Sequence, residues 1–218
     1  MRITALETQA NSPERINVFV DGQFFLGVYA LVVERLGLEV EQEVSDAVLE
    51  QLRAEETEQK SMDRALNYLS FRPRSQREIR QYLRRDNTAP EIIEAVLQRL
   101  SRLELVDDRQ FANFWLDSRE RFRPKGAQAL KYEPHMKGVE RDIVDEVVND
   151  EQDEERAMRA GQKKAMSLSR LPNMDFATFR NRLGSFLQRR GFSYEITKQT
   201  VKKLWTEIEG EEGESEDE

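Results

Sequence analysis

The sequence predicts a mainly α-helical protein. It reads as an elongated row of three tandem three-helix repeats behind a small N-terminal α/β head, a β-hairpin plus helix. Three observations carry this. Apolar residues recur at helical spacing from about residue 62 to 208. Strand-like alternation is confined to the first 28 residues. A loop signature returns after 51 and then 53 residues, at Asn87-Thr88, Gly138-Val139 and Gly191-Phe192. Each is followed by an isoleucine, Ile92, Ile143 and Ile196, five residues beyond the loop Asn or Gly. Asn and Gly close helices in the left-handed conformation, so the signature has a physical reason. A period near 50 residues implies units that bury their faces on one another.

In the head, Ile16, Val18 and Val20 alternate with other residues before Asp21-Gly22, and Phe24, Leu26 and Val28 alternate after it. Asp-Gly between two such runs predicts a two-residue hairpin turn. Residues 2–8 supply a third strand, with Asn11-Ser12-Pro13 as the turn. Short helices follow at Leu31–Leu36 and Ser45–Arg53, and polar Glu55–Lys60 reads as the first turn of a separate long helix. The divisions are a head at 1–54, repeats at 55–106, 107–150 and 151–208, and a disordered acidic tail at 209–218.

The first repeat carries the strongest local signals. Met62, Ala65, Leu66 and Leu69 share one helix face, and Phe71-Arg72-Pro73 stops that helix. Ser75 with Glu78, and Thr88 with Glu91, have the spacing of capping boxes. Ile79, Tyr82 and Leu83 form the next apolar stripe. Arg72, Arg74, Arg77, Arg80, Arg84 and Arg85 surround it, with Glu78 as the one acid of the stretch. In the second repeat, Asp107 is placed to cap a helix whose apolar side is Phe111, Phe114, Trp115 and Phe122. Arg119, Arg121, Arg123 and Lys125 read as a basic loop before Gly126. In the third, helices are expected at 153–169, 175–190 and 193–208, with basic residues over 156–170 and 180–190.

The formal charge of −8 is misleading as a whole, because the eight acids after Thr206 account for all of it and leave a neutral body. Charge within that body is segregated into basic blocks, which suit an acidic partner. There is no cysteine, which fits a reducing, cytoplasmic compartment, and no apolar run of membrane-spanning length. One histidine, no cysteine and no G-x-x-x-x-G-K-[ST] loop leave no parts for a catalytic or zinc site, so neither enzyme activity nor a cofactor is expected.

Residues 65–83, A-L-N-Y-L-S-F-R-P-R-S-Q-R-E-I-R-Q-Y-L, resemble the signature of the RecX family, bacterial modulators of the RecA recombinase. So do L-V-D-D-R-Q-F-A at 105–112 and K-G-A-Q-A-L-K-Y-E at 125–133 followed by K-G-V at 137–139. The head resembles the N-terminal extension of some members, and the likeness runs to about Trp205. It implies a monomeric, non-enzymatic regulator that lies in the groove of the filament of RecA on single-stranded DNA. Such a regulator inhibits ATP hydrolysis, strand exchange and filament growth in recombination and the SOS response, with weak direct contact to DNA allowed. The residues expected to meet that partner are Arg72, Arg74, Arg77, Arg80, Arg84, Arg85, Arg119, Arg121, Arg123, Lys125 and Lys131. One departure is Pro134, where the family usually has an apolar residue. A proline inside a helix predicts a kink or an early stop near Glu133. The alternative reading is a stand-alone DNA-binding protein using helix-turn-helix-like repeats.

Overall fold

The computed structural model describes residues 1–215, with side chains through 210. Strands β1 (Ile3–Gln9), β2 (Ser12–Val20) and β3 (Gln23–Tyr29) form an antiparallel sheet in the order β1-β2-β3. Asp21 and Gly22 both take positive φ, 49° and 82°, as a type I′ turn requires. Register pairs Leu6 with Val18 and Val18 with Leu26. The first turn is tighter than expected, since Ser12 and Pro13 already belong to β2. Helix α1 (Ala30–Leu36) covers the sheet, burying Val32 and Val33 with Ile3, Val18 and Val28.

The largest correction concerns the next helix. Instead of two helices separated at residues 54–55, one helix, α2, runs from Asp46 to Ser70. It spans the expected boundary between head and first repeat. The polar segment that suggested a break is pinned from the other side. Glu56 is buried, receives Arg15 at 2.8 Å and the Tyr29 amide at 3.0 Å, and pairs with Lys60 at 3.1 Å. A buried, paired carboxylate is indistinguishable from a solvated one in sequence pattern alone.

Helices α3 (Gln76–Arg84) and α4 (Pro90–Arg102) complete the first three-helix repeat. Ala89, not Thr88, is the N-cap of α4, and it has no side-chain cap bond. Pro90 at the first helical position explains this, because the residue before a proline is held in the extended region. The second repeat comprises α5 (Asp108–Phe122), α6 (Ala127–Met136) and α7 (Arg141–Val147). A 3₁₀ turn at Asp150–Gln152 leads to the third: α8 (Asp153–Ser169), α9 (Phe176–Arg189) and α10 (Tyr194–Ser215). The tail expected to be disordered from 209 is thus helical through Ser215, and residues 216–218 lie outside the described residues. Glutamate is a good helix former and no proline interrupts the run.

Helix α6 also corrects an expectation, for it continues through Pro134 to Met136. Proline removes the donor that the Leu130 carbonyl would take, but Pro134 is buried in the last turn. The chain then closes with Lys137 N to Glu133 O at 3.2 Å and Val139 N to Pro134 O at 3.1 Å. The three loops read as equivalent in sequence are equivalent in backbone: Asn87, Gly138 and Gly191 have φ of 56°, 91° and 86°. Among the described residues, no helix is long and apolar enough to cross a membrane.

The chain forms two compact units, Met1–Arg72 with Glu78–Leu105, and Pro73–Arg77 with Val106–Glu218. The second unit places the turn before α3 with the second repeat, and the reason is local. Ser75 Oγ donates to the Lys137 carbonyl at 2.6 Å, and the Gln76 amide to Asp108 at 3.0 Å. The same pair of contacts recurs one repeat later. The Gly126 amide donates to the Arg190 carbonyl at 3.0 Å, and the Ala127 amide to Asp153 at 2.9 Å. In each case the start of a middle helix is capped by the first residue of the next repeat's first helix and by the carbonyl just before its loop glycine. A Cβ at Gly138 would stand 2.5 Å from Arg77 Cβ, and one at Gly191 2.6 Å from Ala129 Cβ, so within the second unit the two loops pack directly on Arg77 and on Ala129.

Arg156, expected in a basic face, is instead fully buried. It binds Glu120 at 2.8 Å, Asp153 at 3.2 Å and the Asn149 carbonyl at 2.6 Å. Removing one partner of a buried ion pair costs about 3–5 kcal/mol. Arg156→Ala should therefore destabilise the second unit by about 3 kcal/mol in urea unfolding, whereas Arg159→Ala should shift stability by at most about 0.5 kcal/mol.

Candidate functional site

The expected cationic residues fall into two groups that the sequence does not separate. The first group is held in intramolecular ion pairs. Arg72 forks onto Glu78 at 2.9 and 3.0 Å, inside the first unit. Arg80 on α3 forks onto Glu94 on α4 at 2.7 and 3.0 Å. That hydrogen bond leads, opposed by desolvation and aided by the charges of Arg80 and Arg84, and the Glu94 carboxyl is held below its ordinary value. The arginine-rich stretch 72–85 is therefore met by a second acid, Glu94 of the next helix, at Arg80.

In the second unit, Glu133 on α6 gathers a similar cluster. Its carboxylate accepts from Trp115 Nε1 at 2.8 Å and Arg119 Nε at 2.7 Å, and also binds Lys125. The Arg119 guanidinium lies 4.7 Å from the Trp115 ring centre. Lys131 reaches Asp145 on α7 at 3.2 Å and Asp150 at 3.0 Å. These two acids raise the Lys131 ammonium above its usual value, the Asp150 hydrogen bond leading and desolvation opposing.

The second group comprises Arg77, Arg84, Arg85, Arg121 and Arg123, all exposed. Among the described residues, none of these five has an acidic side chain within ion-pair distance. Arg74 is half-buried in the turn before α3. Arg119 and Arg121 lie within α5 rather than in a loop, and Arg123 is its C-cap. Arg77 also packs its stem beside Gly138, so its substitution would disturb the fold as well as the surface. Phe122, expected in the core, is 73% exposed, between Arg121 and Arg123 in the chain. Phe111 is fully buried, as expected, and Asp107 caps α5 by accepting from the Arg109 and Gln110 amides at 2.7 and 3.2 Å.

The comparisons with known proteins meet this geometry segment by segment. Residues 1–45 match the regulatory protein RecX N-terminal domain. Residues 62–100, 107–148 and 150–201 match the first, second and third three-helix domains of RecX. The chain belongs to the RecX family. Among curated relatives, the regulatory protein RecX of Listeria monocytogenes is 27% identical over 210 residues, 96% of this chain and 78% of the relative. That of Bacillus subtilis is 26% identical over 202 residues, 93% and 76% of the two chains. A crystal structure of regulatory protein RecX superposes with a TM-score of 0.76 at 22% identity, over 92% of this chain and 98% of that one. RecX from Lactobacillus salivarius gives 0.60 at 23%, over 68% and 96%. At these identities the two structures bear out the fold: three RecX three-helix domains in tandem behind a small sheet.

Glu133 provides a pH test of the clustered group. Burial pushes its carboxyl up, but the hydrogen bonds from Lys125, Arg119 and Trp115 together outweigh burial and leave it below the ordinary value. A depressed folded value adds stability above the unfolded carboxyl range, which is lost as pH falls through the folded value. The stability difference between the parent and Glu133→Gln should therefore be positive at neutral pH and shrink below about pH 4.5, as followed by urea unfolding across pH.

Proposed function

We propose that this chain binds the RecA filament formed on single-stranded DNA and restrains its ATP hydrolysis, strand exchange and growth, as a soluble regulator without catalytic activity of its own. Membership in a family of regulatory proteins supports this reading. The observation that carries it to particular residues is the second cationic group. Arg84 and Arg85 on the first repeat, and Arg121 and Arg123 on the second, are exposed, and among the described residues none of the four has an acidic side chain within ion-pair distance. An arginine fork pairs bidentately with carboxylate or phosphate, so either the recombinase surface or the DNA backbone satisfies it. Arg72, Arg80, Arg119, Lys125 and Lys131 act differently. Each would have to leave an intramolecular acid, and their role is to shape the surface on which the exposed arginines stand.

The alternative of a stand-alone duplex-binding protein draws less support, because the body carries no net positive charge once the acidic C-terminus is set aside. Phosphate neutralisation dominates such binding. The direct test adds the chain to RecA filaments at a 1:1 ratio and follows ATP hydrolysis and strand exchange. Inhibition is expected. Arg84→Glu with Arg85→Glu, and Arg121→Glu with Arg123→Glu, should each weaken it at least tenfold and flatten its salt dependence, with the helical circular dichroism unchanged. If the folded parent leaves RecA turnover unchanged, or if nanomolar binding to naked duplex appears without RecA, the proposal fails.

A further inference from the structure

The two repeats of the second unit carry equivalent grooves between their second and third helices. In the second repeat the groove measures about 190 Å³ and is lined by Lys131, Tyr132, His135, Arg141, Val144 and Asp145. Advancing each position by the 53-residue loop spacing gives Gly184, Ser185, Gln188, Tyr194, Thr197 and Lys198. All six line the groove between α9 and α10, which measures about 710 Å³. The repeat is therefore kept at the level of the groove, and the differences between the copies can be read residue by residue.

Three of those differences point the same way. Lys131 and Asp145 bridge the second-repeat groove with an ion pair at 3.2 Å, and Arg80 and Glu94, 51 residues earlier, make the same pair in the first repeat at 2.7 Å. In the third repeat the cation position is Gly184 and the acid position is Lys198. The bridge is lost and the charge at its far end is inverted. Second, the buried apolar residue of this site, Ile93 or Val144, becomes Thr197. Thr197 is 4% exposed, and among the described residues its hydroxyl is the buried side-chain oxygen left without a hydrogen-bond partner. A buried unsatisfied hydroxyl is costly unless something else meets it. Third, the widened groove is rimmed by exposed Arg180, Lys198 and Lys202, and exposed Tyr194 and Phe176 stand in its lining.

We propose that the α9–α10 groove is a binding site for a single strand of nucleic acid. Tyr194, Lys198 and Lys202 follow one another at i, i+4 and i+8, about 6 Å apart along α10. This places an aromatic face and two cations in line, with Arg180 across the groove. Successive phosphates lie along the lysines, a base stacks on Tyr194, which is 70% exposed, and Thr197 Oγ donates to the strand at the groove floor. The combination of exposed aromatic and cations favours a nucleic-acid strand over an acidic peptide, which has no use for the stacking face. The site does not rest on RecA. A chain that binds an oligonucleotide but leaves RecA unaffected keeps this groove and loses the function proposed above, and the converse result separates them the other way.

The probe is a fluorescein-labelled 20-nucleotide oligothymidylate titrated with the full chain, read by anisotropy at 50–200 mM salt. Saturable binding is expected for the parent. Lys198→Glu with Lys202→Glu should weaken it at least tenfold and make the slope of log affinity against log salt shallower by about 1.4, two phosphates' worth for a single strand. Tyr194→Ala should weaken it about tenfold. Gly184→Lys with Lys198→Asp rebuilds the second-repeat bridge. A Cβ at Gly184 meets only Thr197 Cγ2 at 3.7 Å, so this variant should melt no lower than the parent yet lose binding at least tenfold. Thr197→Val tests the hydroxyl alone and should lower affinity without lowering stability. The proposal is overturned if the parent does not bind the oligonucleotide at 50 mM salt, if the rebuilt bridge leaves affinity unchanged in a folded protein, or if a polyglutamate peptide displaces the strand at equal charge concentration.

Discussion

Much of the second unit depends on one arrangement, an aspartate from one repeat accepting the first amide of a helix in the repeat before it. Helix starts leave backbone donors that must be met when they are buried. The starts of α3 and α6 meet them with Asp108 and Asp153, and the Asp153 carboxylate is in turn held by fully buried Arg156. The loop glycines follow from this constraint. To bring a carbonyl onto the same helix start, the chain must pass so close that a side chain at Gly138 or Gly191 would overlap Arg77 or Ala129. In α9 the helix start is met within its own repeat, since Asp175 accepts from Thr178 at 2.7 Å.

The fold was legible wherever period and punctuation agreed. The loop signature located three helix ends that share a positive φ, and the hairpin turn followed from Asp-Gly. Five of the six helix ends of the third repeat were placed within one residue, and the sixth, expected at 208, lies seven residues short of Ser215. Two of the failures had a common cause: polar residues with partners far away in sequence. Glu56 looked like a break and is a buried anchor for Arg15, 41 residues earlier. Arg156 looked like surface charge and is core. Phe122 looked like core and is exposed. Helical spacing identifies a stripe, but only packing decides which end of the stripe is covered.

The candidate site was legible in composition and not in detail. The sequence places the arginines of α3 correctly, but the acids that hold Arg80, Arg119 and Lys131, namely Glu94, Glu133 and Asp145, come from a different helix from their cations. Counting charges along the chain therefore overstated the available positive surface. The signal that could have corrected it was already present in the repeat. Positions 80 and 94, 131 and 145, and 184 and 198 are equivalent, and reading them as pairs separates closed grooves from the open one. A duplicated scaffold of this kind diverges cheaply, because changing two residues on facing helices alters a groove without touching the aspartate and glycine positions that hold the repeats in register.

The continuity of α2 bears on the order in which the protein takes shape as it is synthesised. The hairpin is made first, but Arg15 and the Tyr29 amide find their acid only when residue 56 has been added, a little short of midway along a helix that itself ends at Ser70. The nascent sheet thus waits for a helix whose far end belongs to the next element, and its completion is timed by the emergence of the first repeat.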